Sequence, residues 1–81
     1  MKDFHASNGL TVRFISRYRD RNDYRIAGPD HATTHRLTVC DDGSLLAHHG
    51  EQIRPEWTQA YNEYKAKEAA DFEIWRAARN L

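Results

Sequence analysis

Apolar and polar positions alternate with a period of two from Leu10 onward: Leu10, Val12, Phe14 and Tyr18 share one parity, while Thr11, Arg13, Ile15, Arg17 and Arg19 share the other. Successive side chains of an extended chain point to opposite faces, so this is the pattern of a strand with one face buried. The polar cluster Asp20-Arg21-Asn22-Asp23 reads as a turn, and Tyr24-Arg25-Ile26-Ala27 resumes the alternation until Gly28-Pro29 ends it. The two runs form a hairpin with a loop near residues 19–23, which sets Arg17 opposite Arg25. After a polar connection over residues 31–34, Leu37 and Val39 alternate with Arg36, Thr38 and Cys40 in a third strand. Asp42-Gly43 is a strong hairpin signal, because both central residues of a type I′ turn need positive φ. Read as a two-residue turn, it places a fourth strand at residues 44–48, with Leu45 opposite Cys40 and His48 opposite Leu37. Residues 1–9 read as a mobile lead-in that closes on the turn pair Asn8-Gly9.

From Pro55 the period changes. Proline suits the first turn of a helix, Glu56 suits its positive end, and the stretch to about Asn80 holds neither glycine nor proline. On a helical wheel Trp57, Ala60, Tyr61, Tyr64, Phe72, Trp75 and Ala78 share one face, interrupted by Glu68 and Asp71. A second apolar strip, Ala70, Ile74, Ala77 and Leu81, lies nearly opposite and only in the last third. A helix of about 25 residues is nearly 40 Å long, against about 20 Å for a six-residue strand. The helix is therefore expected to overhang its sheet, with Trp57 to Tyr64 closing the core and Phe72, Ile74, Trp75 and Leu81 facing another surface. The alternative is a wider sheet around which the helix bends, with the N-terminal arm covering the rest.

These elements predict an α+β fold, a three- to four-stranded antiparallel β-meander at about residues 10–49 packed against one long C-terminal helix at about 55–80. A chain of 81 residues has too little material for two cores, so one domain over residues 1–81 is expected.

Charge changes this picture in one respect. Twelve basic and twelve acidic residues cancel, which argues against a generic polycation. Residues 1–40 nevertheless hold seven basic against four acidic side chains, +3, and residues 41–81 five against eight, −3. With Leu10, Val12, Phe14, Tyr18, Tyr24, Ile26, Leu37 and Val39 turned toward the helix, the opposite sheet face carries Arg13, Arg17, Arg25 and Arg36. Like charges facing each other across strands call for an anion, and arginine forks match phosphate or carboxylate. Tyr18 and Tyr24 fall on the inward parity, which denies that face the aromatic platforms of base stacking.

Candidate chemistry is sparse. One cysteine, Cys40, permits no internal disulfide, and neither an apolar leader nor a run of 18 apolar residues is present, so a cytoplasmic, non-membrane location is expected. His31, His35, Cys40, His48 and His49 are close in sequence but lack a CxxC pair, and the expected register lets at most two converge, so no metal ligand or cofactor is assigned. Cys40 has no histidine beside it, Asp41-Asp42 fits turn chemistry, and so short a chain leaves little room for a pocket of several hundred Å³. No catalytic residue is assigned and no enzymatic activity is expected.

In size, compactness and lack of a catalytic motif, the chain resembles the short accessory proteins of bacteriophages and mobile elements, anti-CRISPR inhibitors among them. That resemblance carries over no residue, and implies an inhibitor or adaptor that binds a larger protein complex. The expected contact surfaces are the helix patch of Phe72, Ile74, Trp75 and Leu81 and the arginine face. The expected partners are a larger protein complex and, through the C-terminal helix, a second copy of the chain. Nucleic acid on the arginine face is the alternative.

Overall fold

The computed structural model describes residues 3–29 and 33–79. Five antiparallel strands follow one another across a single sheet in chain order: β1 (Phe4–His5), β2 (Thr11–Tyr18), β3 (Arg21–Ala27), β4 (Thr34–Cys40) and β5 (Leu45–Ala47). The helix α1 (Pro55–Arg79) follows, so the α+β class and the meander with one C-terminal helix hold. The strand count is five instead of three to four. The added strand is β1, in a segment expected to be a mobile lead-in. A tight turn after Ala6, closed by hydrogen bonds from Gly9 N to Ala6 O (3.1 Å) and from Ala6 N to Leu10 O (2.8 Å), folds Phe4 and His5 back onto Val12 and Thr11. Gly9 makes this turn at φ 88°, where a side chain is disfavoured.

Both hairpin loops are tighter or longer by a residue or more than expected. Asn22 and Asp23 belong to β3, and the β2–β3 connection is only Arg19-Asp20, with Arg19 at φ 57°. Between β4 and β5 the loop holds three residues, not two: Gly43 N donates to Cys40 O and Cys40 N to Ser44 O, both at 2.9 Å. Gly43 alone takes positive φ, at 93°, while Asp42 caps the turn by accepting from Ser44 N. This is a type I turn closed by a left-handed residue, and it moves the register by one. Leu45 therefore faces Val39, and Ala47 faces Leu37 in place of His48.

A bulge at Ile15 has the largest consequence. Phe14 pairs with Tyr24 and Ser16 with Asp23, leaving Ile15 as the extra residue. Period-two alternation is broken there, and every later side chain of β2 changes face. Tyr18, expected inside, is 63% exposed.

Val12, Tyr24, Ile26, Leu37 and Val39 form the sheet's buried face, and Trp57 and Ala60 of α1 close over it. Tyr24 meets Phe14, Tyr61 and Tyr64 edge-on at 5.7, 5.3 and 5.5 Å, and Phe4 meets Tyr64 at 5.9 Å. Burial in this ring cluster raises the Tyr24 phenol, and burial together with Glu68 pushes Tyr64 up to about 12. Trp57 lies on His35 at 4.5 Å. Glu63 pins the β1–β2 turn to the helix by accepting from the Ser7 amide (2.8 Å) and hydroxyl (2.7 Å).

Beyond Tyr64 the helix leaves the sheet. Every residue over 65–79 is exposed, and the molecule measures 48 Å along its longest axis against 30 and 21 Å across. A helical segment of this length is marginal by itself in water. Here it continues a turn already anchored by Trp57, Ala60 and Tyr61, and it is rich in alanine. Ion pairs between Lys65 and Glu68, Lys67 and Asp71 (both 2.8 Å) and Arg76 and Glu73 (3.9 Å) run along its surface. Among the described residues no helix is long and apolar enough to cross a membrane.

Candidate functional site

Two surfaces lie uncovered. The first is the helix tail. Phe72, Ile74 and Trp75 are 54, 69 and 53% exposed. The Phe72 and Trp75 rings stack at 5.9 Å, one turn apart, and the Arg79 guanidinium lies 4.8 Å from the Trp75 ring centre. Ile74 points from the other side of the helix. Leu81, expected to extend that side, lies outside the described residues. Glu68 stands at the start of the aromatic stripe, and its hydrogen bond from Lys65 and the nearby Tyr64 hydroxyl hold its carboxyl below the usual range.

The second surface is the sheet face away from α1. The register aligns Arg13, Arg25 and Arg36 in one row across β2, β3 and β4. Arg13 is bound to Asp3 (2.6 Å) and Arg36 lies 3.6 Å from Asp23, whose other oxygen accepts from the Thr38 hydroxyl at 2.6 Å. Because that hydroxyl gives its single proton to Asp23, the His48 Nε2 atom, 2.7 Å from the same oxygen, is the donor in their contact. Arg25 has no carboxylate partner among the described residues. It lines a shallow hollow of about 200 Å³ with Ile15, Arg36, His48 and His49.

Arg17 is not on this face. It pairs with Asn22, not Arg25, because the β2–β3 connection is only two residues long, and the Ile15 bulge turns it toward the helix side of the sheet. There its fork binds both oxygens of Asp41 at 3.1 and 2.8 Å, and this hydrogen bonding holds the Asp41 carboxyl below the usual carboxylate range. Tyr18 has moved the other way. It shares the outer row with Arg21 and Cys40, with the Arg19 guanidinium 5.2 Å from its ring centre. The outer face thus holds an aromatic ring that parity alone had placed inside. Ile15 (42% exposed) and Leu46 (46%) add apolar surface to it. A continuous arginine stripe is replaced by an amphipathic face on which Arg25 lacks a carboxylate partner among the described residues.

Among the described residues no three His, Cys, Asp or Glu side chains come close enough to hold a metal ion together. His35 stacks on Trp57 and contacts Glu51 at 2.7 Å on the helix side, while His48 bonds Thr38 on the other. His35 and His48 both border the hollow beside Arg25 but are bound to different partners; His31 lies outside the described residues. One concavity is larger than chain length suggested. An open groove of about 540 Å³ runs between α1 and the β4–β5 turn, lined by Asn22, Cys40, Asp41, Thr58, Asn62 and Lys65 among others.

Comparison of the chain with family models, with curated proteins and with solved structures returns no match.

Proposed function

We propose that this chain is a non-enzymatic protein-interaction module, of the kind that blocks or bridges a larger protein complex, and that the tail of α1 is its contact surface. The observation that carries this reading is the exposure of every residue over 65–79 together with three large apolar side chains in that stretch. Full burial of such a side chain is worth roughly 1.5–3 kcal/mol. At exposures of 54, 69 and 53%, about half of that remains available to a partner at each of Phe72, Ile74 and Trp75. Tryptophan with an arginine over its ring is also the composition of an interface hot spot.

The test is a double substitution, Ile74→Ala with Trp75→Ala. It is expected to abolish association while leaving the far-ultraviolet spectrum and unfolding midpoint close to those of the parent. Loss of folding would return both residues to the core, and unchanged association would remove the tail from the contact surface.

A second reading, nucleic-acid binding by the outer sheet face, is favoured by one observation: Tyr18 stands exposed in a row with Arg21. It predicts oligonucleotide binding at ~50 mM salt that weakens steeply as salt rises and is lost in Arg25→Glu. No binding at that salt would dismiss it.

A further inference from the structure

We infer that the occupant of the helix tail is the same tail of a second copy, paired antiparallel about a two-fold axis between Glu73 and Ile74. This rests on the tail being a contact surface and adds the identity and register of what covers it. Glu68, Phe72, Trp75 and Arg79 are separated by four, three and four residues, the spacing of the seam along which two helices pack. All four are exposed, and all lie on the side of α1 that faces the sheet further back. In an antiparallel pair, seam residues equally far from the axis on either side meet, while flanking residues meet those on the same side of the partner's seam, offset by two positions. Phe72 then meets the partner subunit's Trp75, and Glu68 meets the partner subunit's Arg79. Two-fold symmetry repeats each contact, so two aromatic layers are flanked by two ion pairs of opposite sign.

The flanks agree with this register. On one side Ala69 faces the partner subunit's Arg76, and on the other Asp71 faces the partner subunit's Ala78, so like charges never meet and an alanine in each pair allows close approach. Parallel pairing fails the same examination, since it sets Glu68 beside the partner subunit's Glu68 and Arg79 beside the partner subunit's Arg79. An antiparallel shift of one heptad toward the N-terminus presses Glu68 onto the partner subunit's Phe72. Sterically the pairing is open. Arg79 of one tail reaches only as far as the partner subunit's Glu68, clear of the stretch up to Tyr64 that packs on its own sheet. Ile74 stays outside the seam.

A charge-reversal cycle tests the register. Wild type, Glu68→Arg, Arg79→Glu and the double reversal are compared by sedimentation equilibrium, with the 9.5 kDa monomer as reference. Each single reversal turns two attractive contacts into two repulsive ones and is expected to weaken dimerisation by about tenfold or more. The double reversal is expected to recover wild-type affinity to within about threefold, and Ile74→Ala to leave it unchanged. All three substituted positions are exposed helix sites, so circular dichroism is expected to be the same throughout. A double reversal as weak as the singles overturns the register. A wild type that stays monomeric yet loses capture of another protein on Trp75→Ala overturns self-pairing while leaving the tail as a contact surface.

Discussion

The two tryptophans of one helix make opposite predictions for the same substitution. Trp57 is 2% exposed, sits on His35 at 4.5 Å and closes the core with Ala60; Trp75, 53% exposed, stacks with Phe72 and lies under Arg79 in its own tail. Truncating a buried tryptophan to alanine costs about 3–5 kcal/mol. A domain of this length holds roughly 4–12 kcal/mol in total, at 0.05–0.15 kcal/mol per residue. Trp57→Ala therefore removes a large share of the stability and is expected to lower the melting temperature by more than about 12 °C, taking 4–8 °C per kcal/mol. Trp75→Ala gives up an exposed ring stack and a cation–π contact, each worth about 0.5–1 kcal/mol, and recovers several tenths through the higher helix propensity of alanine. Its net effect on the monomer is expected to stay within about 1 kcal/mol. Urea unfolding followed by circular dichroism measures both, at a protein concentration where the parent sediments as a monomer, so that lost association does not register as lost stability. Equal destabilisation by the two substitutions, or a cost above about 2 kcal/mol for Trp75→Ala, would refute the division of the helix into a core half and a contact half.

Two smaller tests address the turns. Hydrogen bonds from Ser7 hold the Glu63 carboxyl below the usual glutamate range. A lowered folded value stabilises the fold above about pH 4.3, where an unconstrained glutamate titrates, and the contribution is lost as pH falls through the folded value. Acid is thus expected to lower the protection of the Ser7 amide, relative to its intrinsic exchange rate at each pH, before the core strands respond, and a Ser7 amide whose protection does not change between pH 5 and 3 would contradict the latch. Gly43 turns the β4–β5 loop at φ 93° with nothing within 4 Å of where a Cβ would sit, so Gly43→Ala meets backbone strain and no steric contact. An alanine held in that conformation is expected to cost about 1–2 kcal/mol in urea unfolding, and a neutral result would show that the loop relaxes to another turn.

How far residue patterns carried depends on the period involved. The helix was legible almost to its ends, because Pro55 starts it and no breaker follows. The overhang was legible too, from lengths alone. The sheet was legible in its central rows, where Val12, Tyr24, Ile26 and Leu37 keep strict alternation, and illegible where a single residue changes the count. Nothing in Phe14-Ile15-Ser16 announces a bulge, since an extra residue in a strand has no composition of its own. It exchanged the faces of Arg17 and Tyr18, and with them the make-up of the arginine face. Asp42-Gly43 fits a two-residue and a three-residue loop equally well, and only the φ of Asp42 separates them. The strand Phe4–His5 was out of reach because two residues carry no period; its pairing comes from the turn at Asn8-Gly9 and from the contact of Phe4 with Tyr64.

Hydrogen exchange of the amides over residues 65–79, followed as protein concentration is raised, tests most directly whether the tail finds its cover outside its own subunit. Rapid exchange is expected across this stretch in a dilute monomer, with the stretch around Trp57 and Ala60 protected, and tail protection is expected to grow as dimers form. Slow exchange of the tail in a protein that sediments as a monomer would contradict it.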